Sequence, residues 1–225
     1  MRLTNFGLLS KKNAPDKIPN AGERWGCLIQ DRASRCIVAH AHGRIGDELV
    51  DQAVGIVGER TKHRPLDWCG DGWRGYPAVI SRHYRQPHIP GKRGRPAVIV
   101  PATVRLTQTI KHRDEHGRLL SVEVKAALGT EIPHARTVHI ERFHGCLRDH
   151  LNALTRKTHA FAKMDETWDA LLSLQIFDHN FGRSHQALRL PHLTSLGRYL
   201  HRSPAMALGI SDHIWSLAEL LTTSL

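Results

Sequence analysis

The sequence has no apolar run long enough to cross a membrane. Its longest runs resemble Ala97–Val104 (AVIVPATV), far short of the roughly 20 residues a spanning helix needs. The opening residues, MRLTNFGLLSKK, lack an apolar h-region and a cleavage site, which predicts a cytoplasmic protein. Cysteine is scarce. Cys27, Cys36, Cys69 and Cys146 show no CxxC spacing and no disulfide framework, so reduced, mostly buried thiols are expected. There is no internal repeat and no recognisable motif for reading DNA bases. The 17 histidines are spread along the chain. His40 and His42 would share one strand face, as metal ligands can, but no third ligand is evident. Solvated or hydrogen-bonded histidines are the expectation.

Acidic residues are also in short supply, most of all in the middle of the chain. Lys and Arg total 32 against 21 Asp and Glu, a net charge of +11. From Arg60 to Arg118 the net is +9, whereas from Met164 to Leu225 it is −2. A basic excess of this kind suits a polyanionic partner, nucleic acid above all, although a solvated basic face would look the same. The chain has 225 residues, 40% hydrophobic and 24% charged, ordinary values for a globular protein able to bury a core without staples.

Periodicity predicts the elements. Arg24–Gln30 (RWGCLIQ) and Cys36–His42 (CIVAHAH) read as a hairpin across the turn Asp31–Ser34. Gly46–Glu59 has Leu49, Ala53, Val54 and Val57 at helical spacing, with acids in its first turn. A short strand at Leu66–Cys69 leads into Gly-Asp-Gly and a helical stretch, Trp73–Tyr84. Gln86–Arg95 (QPHIPGKRGR) reads as a basic loop. Ala102–Ile110 and Leu119–Ala126 can pair across Asp114–Gly117. From Thr137 the spacing of Ile140, Phe143, Leu147, Leu151 and Leu154 predicts a helix. A second helix fits Asp165–Phe181. Ser203-Pro204 marks a helix start, and Ser216 with Glu219 fits a capping box. The expected class is α/β with a helical C-terminal third, and the order is compatible with a ribonuclease H-like mixed sheet flanked by helices.

Two acids stand where chemistry could occur. Asp71 follows a strand between two glycines, at the carboxyl end where α/β sheets place ligands, although an Asp-Gly turn fits equally. Glu141 flanks the apolar stripe of its helix, and Arg148 lies two turns on along nearly the same side. By pattern alone they could be two surface charges. Arg156, Lys157 and Lys163 extend the basic side.

Four collinear blocks carry a family resemblance. They are Gly70–Tyr76 (GDGWRGY), Glu141–Lys163 with ERFHGCLR at its head, Asn180–Arg189 (NFGRSHQALR) and Pro204–Leu221. With the hairpin Arg24–Gly43, they resemble DDE transposases of the insertion-sequence-one type over nearly the whole chain. The resemblance implies a ribonuclease H-like DDE catalytic domain over residues 1–163 and a helical extension, 164–225, packed on it. It implies Asp71 and Glu141 as catalytic carboxylates binding two Mg²⁺ (or Mn²⁺) ions for DNA cleavage and strand transfer. It makes Arg148, Arg156, Lys157, Lys92, Arg93 and Arg95 contacts to double-stranded DNA, the element ends and the target. A homo-oligomer on DNA, associated with the nucleoid, follows from the same likeness.

One departure is informative. The family's first aspartate belongs on the strand before the hairpin, in an acid-acid-aromatic motif, and that place falls at or before Met1. Met1–Lys12 reads as the remains of that strand. Glu23 and Asp31 are the nearest substitutes, Asp31 being better explained as a turn residue. The expectation is a catalytic domain clipped at its front, without the family's N-terminal DNA-binding module, and with little activity alone. A non-catalytic DNA-binding remnant or regulator is the alternative. A structural module whose helical tail forms dimers is a third.

Overall fold

The computed structural model describes residues 1–7, 24–88, 96–154, 164–194 and 197–223. Six strands form the main sheet: β1 (Arg2–Gly7), β2 (Arg24–Gln30), β3 (Ile37–Arg44), β4 (Asp67–Asp71), β7 (Arg105–Arg113) and β8 (Leu119–Leu128), with β5 (Gln86–His88) and β6 (Ala97–Ile99) forming a separate ribbon. The order across the main sheet is β3-β2-β1-β4-β7-β8. Strands β1, β4 and β7 are parallel, and β2, β3 and β8 each run antiparallel to the strand they follow. The chain is therefore α/β with a mixed sheet.

Side-chain alternation along β2 divides the core. Cys27 and Ile29 point to one face and Leu28 to the other, and all three are fully buried. On the first face lie α1 (Asp47–Arg60) and α2 (Tyr76–Tyr84). Helix α1 contributes Leu49, Val50, Ala53, Val54 and Val57, while Trp68 and Leu106 rise from the sheet to meet it. On the second face lies α3 (Val138–His150), bearing Ile140, Phe143 and Leu147. Its stripe runs on through Leu151 and Leu154 after the helix ends. Helix α4 (Asp165–Phe177) adds Trp168, Leu172 and Ile176, one residue per turn. The C-terminal segment thus shares the core of the sheet. Among the described residues, no helix is long and apolar enough to cross a membrane.

Several predicted elements change shape. Helix α2 starts at Tyr76 rather than Trp73, because Trp73–Gly75 are used to close a turn onto Asp71, and Pro77 fits the first helical turn. The start of the predicted basic loop pairs with Ala97–Ile99, just beyond its end, as the β5–β6 ribbon. Pro87 is tolerated there because a two-stranded ribbon leaves positions with no ladder donor to lose. Residues 89–95, which include Lys92, Arg93 and Arg95, lie outside the described residues. The second C-terminal helix stops at Phe177 and widens into a π-turn, Asp178–Gly182.

The C-terminal third is not wholly helical. A ribbon of β9 (Leu190–Thr194) and β10 (Gly197–Leu200) interrupts it, with the Arg189 guanidinium 4.0 Å above the Tyr199 ring. Two short helices follow, α5 (Pro204–Leu208) and α6 (Leu217–Thr222). Both caps read from sequence are present. Ser203 accepts from the Met206 amide, and Ser216 forms a capping box with Glu219. Helix α5 ends on Gly209 at φ 74°, a conformation that costs glycine nothing.

The sheet's β3 edge is tied to the C-terminal segment. The buried Asn180 amide accepts from the Ile37 amide at 2.8 Å and donates to its carbonyl at 2.9 Å. That pair of bonds mimics a strand neighbour. The Arg60 guanidinium covers the Val38 carbonyl.

Candidate functional site

Asp71 is the last residue of β4, and its carboxylate is held by the turn that follows. The Trp73 amide donates to Oδ1 at 3.2 Å. The buried Gln108 side chain on β7 donates to the Asp71 carbonyl at 2.9 Å and the Trp73 carbonyl at 2.7 Å, fixing both ends of that turn. Of the motif's glycines, Gly75 has the clearest steric role. A Cβ there would lie 2.1 Å from the Trp73 indole, which also packs edge-on to Tyr76 at 4.9 Å. Any side chain at Gly75 would displace the indole.

Glu141 faces this turn from the first turn of α3. Lys111, on β7, donates to both of its oxygens at 2.9 Å. The Thr137 hydroxyl, at the helix N-cap, donates to Oε1 at 2.6 Å. The register pairs Asp71 with Thr109, so Lys111 is two residues further along the same face of β7. Acid, base and acid thus follow one another across the sheet and onto the helix.

The electrostatics of the two acids differ. Burial pushes the Asp71 carboxyl above its ordinary value, with the Glu141 charge adding to the rise. Hydrogen bonds from Trp73 and Tyr76 and the Lys111 charge oppose it without cancelling it. Burial also pushes Glu141 upward, but the Thr137 and Lys111 hydrogen bonds and the Lys111 charge outweigh that, leaving it below the ordinary range. The Glu141 charge is felt at Asp71, which puts the two carboxylates within electrostatic reach of each other.

His144, one helical turn beyond Glu141, is buried and pushed down to about 3 by burial and by the Arg148 charge. Arg148 thus lies one turn further along the same side of α3, as its spacing predicts. Arg156, Lys157 and Lys163 lie outside the described residues.

One of the two substitutes for a first acid, Asp31, lies among the described residues. Asp31 serves the β2–β3 turn, accepting from the Ser34 amide and hydroxyl at 2.8 Å each. Glu23 lies outside the described residues. Strand β1 pairs with β2 from Arg2 to Gly7 and with β4 at Arg2 and Leu3. The six residues of β1 pair with β2 throughout. Its sequence, RLTNFG, holds no carboxylate.

Sequence reasoning missed Lys111, Thr137 and Gln108. Only Gln108 left a trace, as a polar residue between Leu106 and Ile110 on a strand. It also missed the partner of His40 and His42. Asp169 on α4 lies 3.2 Å from His40 and 3.7 Å from His42. Among the described residues, no group of three or more His, Cys, Asp or Glu is arranged to hold a metal ion. The free thiols of Cys27, Cys36 and Cys69 are buried, and that of Cys146 is partly so. Neither a family model, nor a curated protein, nor a solved structure matches the chain.

Proposed function

We propose that the chain is a ribonuclease H-like domain of the DDE transposase type, acting on phosphodiester bonds of DNA. The observation that carries this reading is the convergence of Asp71, at the carboxyl end of β4, with Glu141 on a helix packed over the same sheet face. The sheet order, with β1, β4 and β7 parallel at its centre and a β2–β3 meander on one side, supports it.

The donor set fits one hard cation. Oxygen ligands suit Mg²⁺ or Mn²⁺, and the Lys111 ammonium, seated on both Glu141 oxygens, marks a place where positive charge is already stabilised. Asp71 and Glu141 would hold such an ion, and it would supply Lewis-acid activation of a water or 3′-hydroxyl when bound. A second ion needs a ligand that the described residues around these two acids do not provide. The chain's own contribution is orientation. Gln108 and the Trp73 amide fix Asp71, Thr137 fixes Glu141, and Arg148 offers charge for a phosphate.

A second reading, a DNA-binding remnant without catalysis, is favoured by β1, which bears no carboxylate, and by the pairing of Lys111 with Glu141. Calorimetric titration of Mg²⁺ and Mn²⁺ into the wild type and three variants separates the readings. Asp71→Asn and Glu141→Gln are expected to abolish metal uptake. Lys111→Met, which removes a competing cation, is expected to tighten it about fivefold, the worth of a partly exposed ion pair near 1 kcal/mol. Unchanged affinity in all three would reduce both acids to structural residues. Metal binding without nicking of supercoiled DNA would favour the remnant.

The same variants should move stability in opposite directions. Burial disfavours the charged form of Asp71, so Asp71→Asn is expected to stabilise the fold at neutral pH. Glu141→Gln removes the partner of Lys111 and is expected to cost about 1 kcal/mol. Urea denaturation at neutral pH reads both, and a destabilised Asp71→Asn variant would contradict the assignment of an electrostatically strained carboxylate.

A further inference from the structure

Strand β8 is the outer strand of the main sheet on the side away from β3, and no described strand pairs with its outer edge. It is ten residues long and exposed along most of its length. Leu120 is 69% exposed, Val122 49% and Val124 43%. A long apolar edge of this kind is a template for strand addition unless it is blunted. Its pairing with β7 shifts register near each end, leaving Ser121–Ala126 as a regular stretch between the two irregularities.

We propose that a second copy of this chain pairs with β8, antiparallel and about a twofold axis at Val124. The edge of β8 is self-complementary. Centring the pair on Val124 places Val124 against Val124, Val122 against Ala126 and Leu120 against Leu128. It also places Glu123 of each copy opposite Lys125 of the other, twice. Centring on Glu123 or on Lys125 would set like charges face to face. Centring on Val122 would leave Lys125 opposite Leu119 and Glu123 opposite Ser121. Registers displaced by a half step would set the valines against charges. Opposite charges directly across two strands attract, and like charges repel. A twofold pairing of one patch with itself is also the commonest way for identical chains to associate. Two six-stranded sheets then become one continuous sheet, with each copy's Asp71 and Glu141 on the same sheet face as its own Val122 and Val124. The pairing does not depend on whether those acids are catalytic.

Sedimentation equilibrium tests it with two charge reversals. The wild type is expected to be a concentration-dependent dimer. Glu123→Lys and Lys125→Glu should each weaken the dimer by about tenfold or more, because two attractive contacts become repulsive. An equimolar mixture of the two variants should restore it, since every contact across the heterodimer is again between opposite charges. Glu123 also pairs within its own chain with His112, at 3.0 Å. Loss of that pair cannot be repaired by mixing, so the mixture distinguishes the interface from local damage. A monomeric wild type, variants that dimerise as well as the wild type, or a mixture that stays monomeric would each overturn the proposal.

Discussion

Binding of the chain to duplex DNA is expected to weaken by about 10³–10⁵-fold as salt rises from roughly 50 to 200 mM. The reason is the distribution of charge. The stretch from Arg60 to Arg118 carries a net +9, and its Lys62, Arg64, Arg74, Arg85 and Arg118 are exposed. Arg74 sits in the turn that follows Asp71, beside the candidate site. If six to ten phosphates are neutralised, their counterions are released, and the affinity falls steeply with salt. Because such contacts position DNA without reading it, duplexes of unrelated sequence should bind within a few-fold of one another. Fluorescence anisotropy across a salt titration measures both quantities. A flat titration would remove the polyanion from the account.

Acid is expected to destabilise the fold strongly, well above the range where carboxylates titrate. Burial, with the Arg148 charge, holds His144 down at about 3. Burial also holds His179 at about 4, although its bond to the Arg35 carbonyl opposes this. That bond, 3.0 Å from Nε2, requires Nε2 to carry the proton, consistent with a neutral ring. The ordinary value is 6.5. Below it the unfolded chain binds protons that the folded chain refuses, so stability falls as pH falls. The contribution is fully present above about 6.5 and is lost progressively toward the folded values. Lowering the pH to about 5 costs roughly 2 kcal/mol for each histidine. Together this is about 4 kcal/mol of a total that is typically 5–15. His185, also lowered by burial, acts in the same direction. Urea denaturation at pH values from about 7 to 5 should show the loss, and His144→Gln should make the slope shallower. Stability that stays level over this range would show that neither ring is kept neutral by burial.

Local chemistry made much of the fold legible. The stripe from Ile140 to Leu154 is buried as its spacing requires, and the caps at Ser203 and Ser216 form where their residue types predict. The β2–β3 and β7–β8 hairpins were legible from alternation and turn residues. What could not be read depends on distant partners. Lys111 reaches Glu141 across 30 residues, Asp169 meets His40 across 129, and Asn180 meets Ile37 across 143. Each is a polar side chain whose local pattern is that of any surface residue. Asp71 and Glu141 were legible as candidates because a strand end and a helix flank constrain them, but their environment depends on Lys111 and Gln108, which the pattern left unmarked. The β5–β6 ribbon was hidden by prolines and glycines that also fit a loop.

The two margins of the sheet are treated differently, and this limits how many molecules can join. At β3 the amide of Asn180 occupies both the donor and the acceptor of Ile37, and Arg60 takes the next carbonyl. At β8 no described residue plays that part. A unit with one adhesive end can only form a pair, whereas a unit with two can propagate into a fibre. With the proposed pairing at β8, Asn180 would act as a chain terminator for assembly as well as a clasp for the C-terminal segment. Opening that margin would convert a closed pair into a growing polymer.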